Sequence, residues 1–162
     1  MPDAIPAFYW DSCVFLDYIH QTPERLPVIE QLLLNARDGK VEIVTSVATI
    51  VEVAFTTSEK SAAALDPTAE ADIGSLWQAD SPVHLAEFHQ GIAEDARALM
   101  REGITQGWGR LQPYDAIHLA TAQRLAVTEI HTYDTALRKF GPAVGCPVVE
   151  PHVAQTGMFP PP

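Results

Sequence analysis

The sequence predicts an α/β fold in which a central parallel sheet of about four to five strands lies between two layers of helices. Short apolar runs typical of buried strands alternate with longer segments in which apolar residues recur at helical spacing. This alternation favours a parallel sheet, because parallel neighbours need a long crossover, which is usually a helix. Acidic residues also recur just after the strand-like runs, at the edge where parallel sheets bind ligands.

The length and composition indicate one folded domain. The chain has 162 residues, of which 47% are hydrophobic, which is enough for a sizeable core. No apolar run reaches the roughly 20 residues of a membrane-spanning helix, and residues 1–6 lack the basic start and apolar centre of a signal peptide. We therefore expect a single domain over residues 1–150, a Pro-rich tail over 151–162, no membrane contact and a cytoplasmic location.

The first part of the chain predicts two strands separated by two helices. The apolar residues 7–10 are typical of a strand, and helical spacing follows over 12–20 and 24–37. Gly39 is a suitable stop for the second of these helices. The β-branched residues in 41–44 then predict the second strand.

A helix follows the second strand and carries the first of several informative acids. The hydroxyl groups of Thr45 and Ser46 are suitable N-caps for it. Helical spacing predicts its buried face to consist of Val47, Ile50, Val51 and Ala54. Glu52 lies off this apolar stripe, so we expect it to face a cleft or solvent.

The middle of the chain predicts a connection, two helices and a third strand. Residues 58–69 are interpreted as a connection, a helix follows near 68–79, and 83–85 is a short strand. A long amphipathic helix is predicted from the spacing of Phe88, Ile92, Ala96 and Leu99. Three glycines within 103–109 then indicate a loop.

The last part of the chain predicts a central helix and two more strands. Pro113 is favourable in the first turn of a helix, and the residues after it are apolar almost all round. Such a helix should pack in the middle of the fold. Strands near 129–132 and 147–149 would complete the sheet.

Four acidic residues carry the most information about function: Asp11, Glu52, Asp115 and Asp134. Each lies at the end of a strand-like run or in the opening turns of a predicted helix. Because the carboxyl ends of parallel strands share one edge of a sheet, we expect the four carboxylates to converge there. Converging carboxylates repel one another and require a cation, and hard oxygen ligands suit Mg²⁺ or Mn²⁺.

Three segments resemble the motifs of PIN-domain ribonucleases. Residues 11–16 are similar to the opening motif of that family, and residues 113–122 are an even closer match to its third acidic motif. Residues 132–134 resemble its last motif, and Glu52 fits its second acid. The resemblance covers roughly residues 7–149, and the short single-domain layout is most similar to the VapC-type toxins of toxin–antitoxin pairs.

The resemblance implies a PIN-like three-layer α/β/α fold and a ribonuclease that uses Mg²⁺ or Mn²⁺ to hydrolyse RNA phosphodiester bonds. Asp11 and Asp115 would be the primary metal ligands, Glu52 would complete the metal shell or orient the attacking water, and Asp134 would serve a second metal or a water. The implied partners are an RNA substrate and a small antitoxin, with a homodimer as a further expectation. A non-toxin RNA-processing nuclease and a non-catalytic RNA- or protein-binding PIN module remain alternatives.

Polar residues beside these motifs are secondary candidates. The hydroxyl groups of Ser12 and Thr132 could orient a carboxylate or a metal-bound water, although ordinary capping explains them equally well. Basic residues that flank the last two acidic motifs could contact RNA phosphates, and simple solvated charge is the competing interpretation: Arg110, Arg138 and Lys139. His118 follows Asp115 by three residues, so both share a helix face. We favour a packed or surface-edge position for His118 over a role as base or metal ligand.

The remaining features mainly exclude other functions. A formal net charge of −11 argues against strong non-specific nucleic-acid binding and suits a basic protein partner. The two cysteines, Cys13 and Cys146, form no C-x-x-C pair and are expected to be reduced. A haloacid-dehalogenase phosphatase needs a second Asp two residues after the first, and this chain has Cys13 at that position. The glycine motifs of nucleotide-binding proteins are also missing from the sequence. Trp108, within the glycine-rich loop, is the one tryptophan that we consider for base stacking.

Overall fold

Five parallel strands form the centre of the protein, whose computed structural model describes residues 4–153. They are β1 (Ala7–Trp10), β2 (Glu42–Ser46), β3 (Val83–Ala86), β4 (Glu129–His131) and β5 (Val148–Val149), in the spatial order β3-β2-β1-β4-β5. The predicted parallel sheet is confirmed. Most of the tail predicted over 151–162 lies outside the described residues.

Helices cover both faces of the sheet, which confirms the three-layer α/β/α architecture. One face carries α1 (Ser12–Ile19), α2 (Leu26–Arg37) and α5 (Pro67–Ser75), and the other carries α6 (Gln90–Thr105), α7 (Pro113–Leu125) and α8 (Gly141–Val144). The remaining helices are α3 (Ala48–Glu52), α4 (Thr57–Ala62) and a 3₁₀ helix (Thr135–Phe140). In the described part of the chain, no helix combines the length and apolarity needed to cross a membrane.

The central strand β1 divides the core into two halves. Successive side chains of a strand point to opposite faces, so Phe8 and Trp10 pack with α1 and α2, while Tyr9 packs with α6 and α7. Tyr9 and Trp10 are completely buried. The aromatic run that predicted the first strand therefore anchors both helical layers to the sheet.

The buried face predicted for the helix after β2 is wrong. This helix, α3, is a single short turn of five residues, and its inward positions are Thr49 and Val53. Ile50 is 38% exposed and Val51 is 64% exposed. Helical spacing could not identify the inward face here, because so short a helix offers too few turns for an apolar stripe to be distinguished.

Two predicted irregular segments are partly helical. The connection predicted over 58–69 contains α4 and the start of α5, and α4 is stabilised by a capping box in which Thr56 and Glu59 exchange side-chain hydrogen bonds with each other's backbone N–H. The glycine-rich loop predicted over 103–109 begins later than expected, since α6 continues through Gly103 to Thr105. In α6, Gly103 is buried, and a Cβ atom there would lie 2.8 Å from the carbonyl oxygen of Gly109 and 2.8 Å from the Phe140 ring. This glycine is required by close packing rather than by a turn.

The helix predicted to begin at Pro113 is central, as expected. It is α7, and its inward side chains include Ala116, Leu119 and Ala120, none of which is exposed. The helix packs along α6 and against β2. Its first turn therefore lies next to the carboxyl ends of the central strands.

Candidate active site

The candidate site lies where the order of the strands reverses. The chain forms β1, β2 and β3 in one direction and then returns to place β4 and β5 on the other side of β1. The loops that leave β1 and β4 must diverge to opposite sides, which opens a crevice at the carboxyl ends of these two strands. Asp11 follows β1 directly, and Thr132 follows β4 directly.

Asp11 is held in place by groups on both sides of this crevice. It caps α1 by accepting a hydrogen bond from the backbone N–H of Ser12 at Oδ1 (2.7 Å). Its other oxygen, Oδ2, accepts from the Thr132 hydroxyl at 2.7 Å and from the Cys13 thiol at 3.5 Å. The carboxylate is buried, with 5% of its residue surface exposed. Burial and these donors fix the direction in which Asp11 presents its oxygen atoms.

The structure places the hydroxyl groups of Ser12 and Thr132 next to the acids. Ser12 Oγ lies within hydrogen-bond distance of both Asp11 Oδ1 (3.4 Å) and Glu52 Oε1 (3.3 Å). The Thr132 hydroxyl donates to Asp11 and also accepts from the backbone N–H of Asp134 at 3.0 Å. These two hydroxyl groups connect three of the four predicted acids.

Glu52 is the last residue of α3, and its side chain reaches the crevice. One oxygen faces Ser12, and the other, Oε2, accepts from His118 Nε2 at 2.5 Å. His118 Nε2 also lies 3.6 Å from Asp11 Oδ1. Of the two environments predicted for Glu52, a cleft or solvent, the structure places it in the cleft.

His118 links the acids to the core of the protein. It is buried on α7, as predicted, and its Nδ1 lies 2.7 Å from the hydroxyl group of Tyr9, which also accepts from the backbone N–H of Ser46 at 3.1 Å. Because the carboxylate of Glu52 can only accept, His118 Nε2 carries a proton. The three-residue spacing of Asp115 and His118 predicted that both lie on one face of the helix. The contacts of His118 with Glu52 and Tyr9 could not be predicted, because they depend on how β1 packs against α7.

Two opposing effects act on the pKa of His118. Burial lowers it, but the hydrogen bond to Glu52 and the negative charges of Asp11, Glu52 and Asp115 raise it more. The pKa of His118 is therefore above its ordinary value. Either as a neutral donor or as a cation, His118 offsets part of the negative potential of the crevice.

Asp115 occupies the first turn of α7 and experiences the other acids directly. Burial, the largest cause, and the negative charges of Asp11, Asp134 and Glu52 together raise its pKa to about 6, against a lowering by His118. The nearby acids therefore include all three of the other predicted residues. The structure brings the four carboxylates into one electrostatic cluster.

Asp134 lies at the outer side of the crevice. It caps the 3₁₀ helix, where Oδ1 accepts from the backbone N–H of Ala136 at 2.9 Å, and its side chain is exposed. Asp134 is therefore a helix cap in this structure. An exposed cap can still turn one carboxylate oxygen towards a ligand, because each oxygen has two acceptor positions.

The predicted RNA-contacting residues are all exposed, but they differ in their surroundings. Arg138 forms an ion pair with Glu150 at 3.3 Å, and Lys139 follows it in the 3₁₀ helix. Arg110 lies in the segment before α7, where it lines a surface cavity with Arg101. Trp108 packs edge-on against Phe140, with ring centroids 5.3 Å apart, and is half-buried. This packing leaves only part of the Trp108 ring available for stacking.

The donor set of the crevice fits a hard divalent cation. It consists of carboxylate and hydroxyl oxygens. Burial is the largest cause of the raised pKa of Asp115, and the charges of Asp11, Asp134 and Glu52 add to it against a lowering by His118. Mg²⁺ and Mn²⁺ prefer such ligands. The four carboxylates do not converge on one point in this structure. Among residues 4–153, the one group of three or more ligating side chains whose atoms lie within 4.8 Å of one another is elsewhere in the fold. Rotation of the side chains would have to bring the acids onto a shared ion.

That other group was missed at the level of sequence. It consists of Glu129, His131 and His152, from β4 and from the segment after β5. The spacing of two between Glu129 and His131 was a signal that both face the same side of a strand. His152 is distant in sequence, so only the parallel pairing of β4 with β5 brings it to them.

Solved structures with the same fold come from several bacteria. They include VapBC2 from Rickettsia felis bound to a promoter DNA fragment (TM-score 0.63, 13% identity, covering 88% of this chain and 96% of that one). VapC20 from Mycobacterium tuberculosis, a toxin that cleaves the sarcin–ricin loop, gives a TM-score of 0.58 at 14% identity (84% and 94% covered). A toxin–antitoxin complex from Klebsiella pneumoniae gives 0.57 at 23% identity (89% and 97% covered).

Sequence comparison identifies the family itself. No curated protein sequence matches the chain, and the identities to the solved structures are low enough that those structures show the shared fold alone. The family model described as the PIN domain, however, matches residues 8–141, which is most of the chain and contains all four predicted acids. The chain therefore belongs to the PIN domain family.

Proposed function

We propose that this protein is a metal-dependent ribonuclease that hydrolyses RNA phosphodiester bonds. The observation that carries the proposal is the cluster of Asp11, Glu52, Asp115 and Asp134 at the crevice between β1 and β4, in a chain of the PIN domain family. Bound there, Mg²⁺ or Mn²⁺ would supply positive charge for the attacking and leaving oxygens of a phosphodiester. The Cys13 thiol is a poor nucleophile here, since its pKa is raised to about 12 by burial and by Asp11.

Each acid of the crevice would have a separate role in metal binding and hydrolysis. Asp11 and Asp115 would be the main metal ligands, because both lie beside the strand ends and interact electrostatically. Glu52 would complete the metal shell or orient the attacking water, and Asp134 would hold a second metal or a water. The hydroxyl groups of Thr132 and Ser12 would keep Asp11 and Glu52 in position.

Exposed basic residues would bind the RNA backbone on either side of the acids. Arg110 precedes the helix that carries Asp115, and Lys139 follows Asp134 by five residues in the 3₁₀ helix. Arg138 would have to exchange its exposed ion pair with Glu150 for a phosphate, which is a small loss because such surface pairs contribute little. The strongly acidic chain makes these local cations necessary for any affinity to RNA.

Cleavage of RNA by the purified protein tests the enzyme. We expect cleavage with Mg²⁺ or Mn²⁺, none with EDTA, and a decrease by orders of magnitude in Asp11→Asn and Asp115→Asn. Asp80→Asn is a matched control, because Asp80 is an exposed acid that precedes β3 and therefore lies at the opposite edge of the sheet. Cleavage that persists undiminished in EDTA would exclude the metal mechanism, and inactivity of the folded, metal-loaded protein on RNA would favour a binding module.

We further propose that the protein is the toxin of a toxin–antitoxin pair. VapC20 and the Klebsiella pneumoniae complex, which share its fold, are a toxin and a toxin–antitoxin complex. The net charge of −11 suits a small antitoxin that offers Arg or Lys to the acidic crevice. Such a partner would inhibit the enzyme by occupying the place of the metal and the substrate.

Growth of host cells tests this role separately from catalysis. Expression of the chain alone should arrest growth, expression of Asp11→Asn should not, and co-expression of the protein encoded beside it should restore growth. If the purified protein cleaves RNA but its expression leaves growth unchanged, the protein is a nuclease with an RNA-processing role.

A further inference from the structure

A second group of ligating side chains lies apart from the acidic crevice, on β4 and the segment that follows β5. Glu129 Oε2 lies 3.1 Å from His131 Nε2 and 2.8 Å from His152 Nε2, and all three ligating atoms lie within 4.8 Å of one another. We propose that Glu129, His131 and His152 form a binding site for a divalent cation of the Zn²⁺ type.

The sheet holds two of these ligands in fixed directions. Glu129 and His131 are the first and third residues of β4, so their side chains point to the same face. His131 is completely buried, and its ring stacks on Phe8 with centroids 4.5 Å apart. A ligand that cannot change its rotamer loses little conformational entropy when it binds a metal.

His152, the third ligand, lies at the surface, so a metal ion can reach the site from solvent. The chain leaves β5 and brings His152 over the end of β4, where its ring centroid lies 5.6 Å from that of His131. The side chain of His152 is 48% exposed and that of Glu129 is 21% exposed. An ion could therefore enter from outside, and one coordination position would remain open to water.

The three donors have the chemistry that Zn²⁺ prefers. Two imidazole nitrogens and one carboxylate oxygen are a common zinc set, whereas Mg²⁺ prefers oxygen ligands throughout. Burial lowers the pKa of His131 to about 4, so its imidazole is neutral at pH 7 and has a lone pair to offer. Within residues 4–153, the carboxylate of Glu129 lies next to these two histidines and forms no ion pair with Lys or Arg. A cation would supply the counter-charge of this carboxylate.

The geometry requires only a small adjustment. Zinc bonds of about 2.0–2.2 Å in a tetrahedron separate the ligating atoms by roughly 3.3–3.6 Å. The observed separations from Glu129 Oε2, 3.1 Å to His131 and 2.8 Å to His152, are shorter than these by about 0.2–0.8 Å. Glu129 and His152 can move apart, because both are partly exposed.

One feature of His131 opposes binding and limits the affinity. Its Nδ1 atom is buried without a hydrogen-bond partner. When Nε2 coordinates a metal, the imidazole proton moves to Nδ1, where it remains unsatisfied. The loss of one hydrogen bond is small beside the free energy of zinc coordination by three side chains, so binding is weakened but retained.

Metal titration of the untagged protein tests the site. The protein is treated with EDTA, freed of the chelator and kept in millimolar Mg²⁺, which occupies oxygen-only sites. We expect calorimetry to show one Zn²⁺ per chain, and Co²⁺ to give the intense visible bands of a four-coordinate ion. Removal of a ligand in His152→Ala or Glu129→Gln should weaken Zn²⁺ binding by more than about tenfold, since even outer partners of a metal site contribute that much.

Two matched controls separate this site from other histidines and from the acidic crevice. His84→Ala removes an exposed histidine on β3 and should bind Zn²⁺ like the wild type. Asp11→Asn combined with Asp115→Asn should also retain Zn²⁺ binding, whatever the outcome of the RNA-cleavage assay. Equal Zn²⁺ affinity in the wild type, His152→Ala and Glu129→Gln would overturn the proposal, as would the lack of any Zn²⁺ binding to the wild type in Mg²⁺.

Discussion

Asp11 shows how strongly a candidate catalytic acid depends on neutral neighbours. Its carboxylate is buried in a cluster of like charges, which is unfavourable unless donors surround it. Those donors are the backbone N–H of Ser12, the thiol of Cys13 and above all the hydroxyl group of Thr132, at 2.7 Å. Cys13, which stands where PIN-domain sequences often have Asn or Ser, contributes a weak donor here. Thr132 therefore carries most of the side-chain support of Asp11.

Replacement of Thr132 by Val tests this support at the level of one residue. Valine keeps the shape but removes the hydroxyl group that donates to Asp11 and accepts from the backbone N–H of Asp134. We expect the free energy of unfolding to fall by about 1–3 kcal/mol, the usual effect of leaving buried polar groups unpaired, and RNA cleavage to decrease. Thr132→Ser keeps the hydroxyl group and should stay close to wild type in chemical denaturation and in cleavage. Equal behaviour of the valine and serine variants would contradict the assigned role.

At the level of elements, the sequence predicted the strands and the long helices well and the short helices poorly. The strands and α7 were predicted because apolar runs and a favourable Pro113 mark them clearly. The inward face of α3 was mispredicted, since Ile50 and Val51 are exposed and Thr49 faces inward. The four candidate acids were selected because they lie at the ends of predicted strands or in the opening turns of predicted helices. Their hydrogen-bond partners on other elements, such as His118 for Glu52, depend on tertiary register, which no local pattern encodes.

Replacement of glycine by alanine should change the free energy of unfolding in opposite directions at Gly103 and Gly74, which both lie in helices. In α6, a Cβ atom at Gly103 would lie 2.8 Å from the backbone oxygen of Gly109, so Gly103→Ala must displace the α6–α7 connection. We expect it to lower the free energy of unfolding by about 1–3 kcal/mol. In α5, a Cβ atom at Gly74 meets nothing within 4 Å, so Gly74→Ala should raise that free energy by about 0.5–1 kcal/mol through helix propensity. Urea denaturation of both variants checks the pair, and destabilisation by Gly74→Ala would contradict it.

For the whole molecule, the balance of charge connects stability to metal binding. The chain contains 21 acidic residues and 10 Lys and Arg, and Arg25, Lys40, Arg124 and Arg138 are in ion pairs with acids. Among residues 4–153, His118 is the basic side chain that contacts Asp11 and Glu52, and no Lys or Arg forms an ion pair with the four acids of the crevice. A site of this kind should destabilise the metal-free fold and should be stabilised by a divalent cation, which binds the native state.

The stability of the metal-free protein should consequently depend on the charge of Asp115. Its folded pKa of about 6 is above the ordinary value of 3.8, so the native state binds more protons than the unfolded state between these two pH values. Stability should then fall as pH rises from about 4 to about 6 and remain low above that. Because Asp115 is partly exposed, solvent screening reduces the loss to about 1–2 kcal/mol.

Asp115→Asn removes this charge and should therefore stabilise the metal-free protein. Without metal at pH 7, we expect the variant to melt at a higher temperature than the wild type, and the difference should disappear near pH 4, where the wild-type carboxyl group is protonated. Addition of Mn²⁺ at pH 7 should stabilise the wild type and stabilise the variant much less, because one carboxylate ligand is lost. Thermal melts of both proteins at the two pH values, and with Mn²⁺ at pH 7, give the comparison. A variant that melts lower than wild type at pH 7 and gains as much from Mn²⁺ would mean that Asp115 supports the fold rather than the metal.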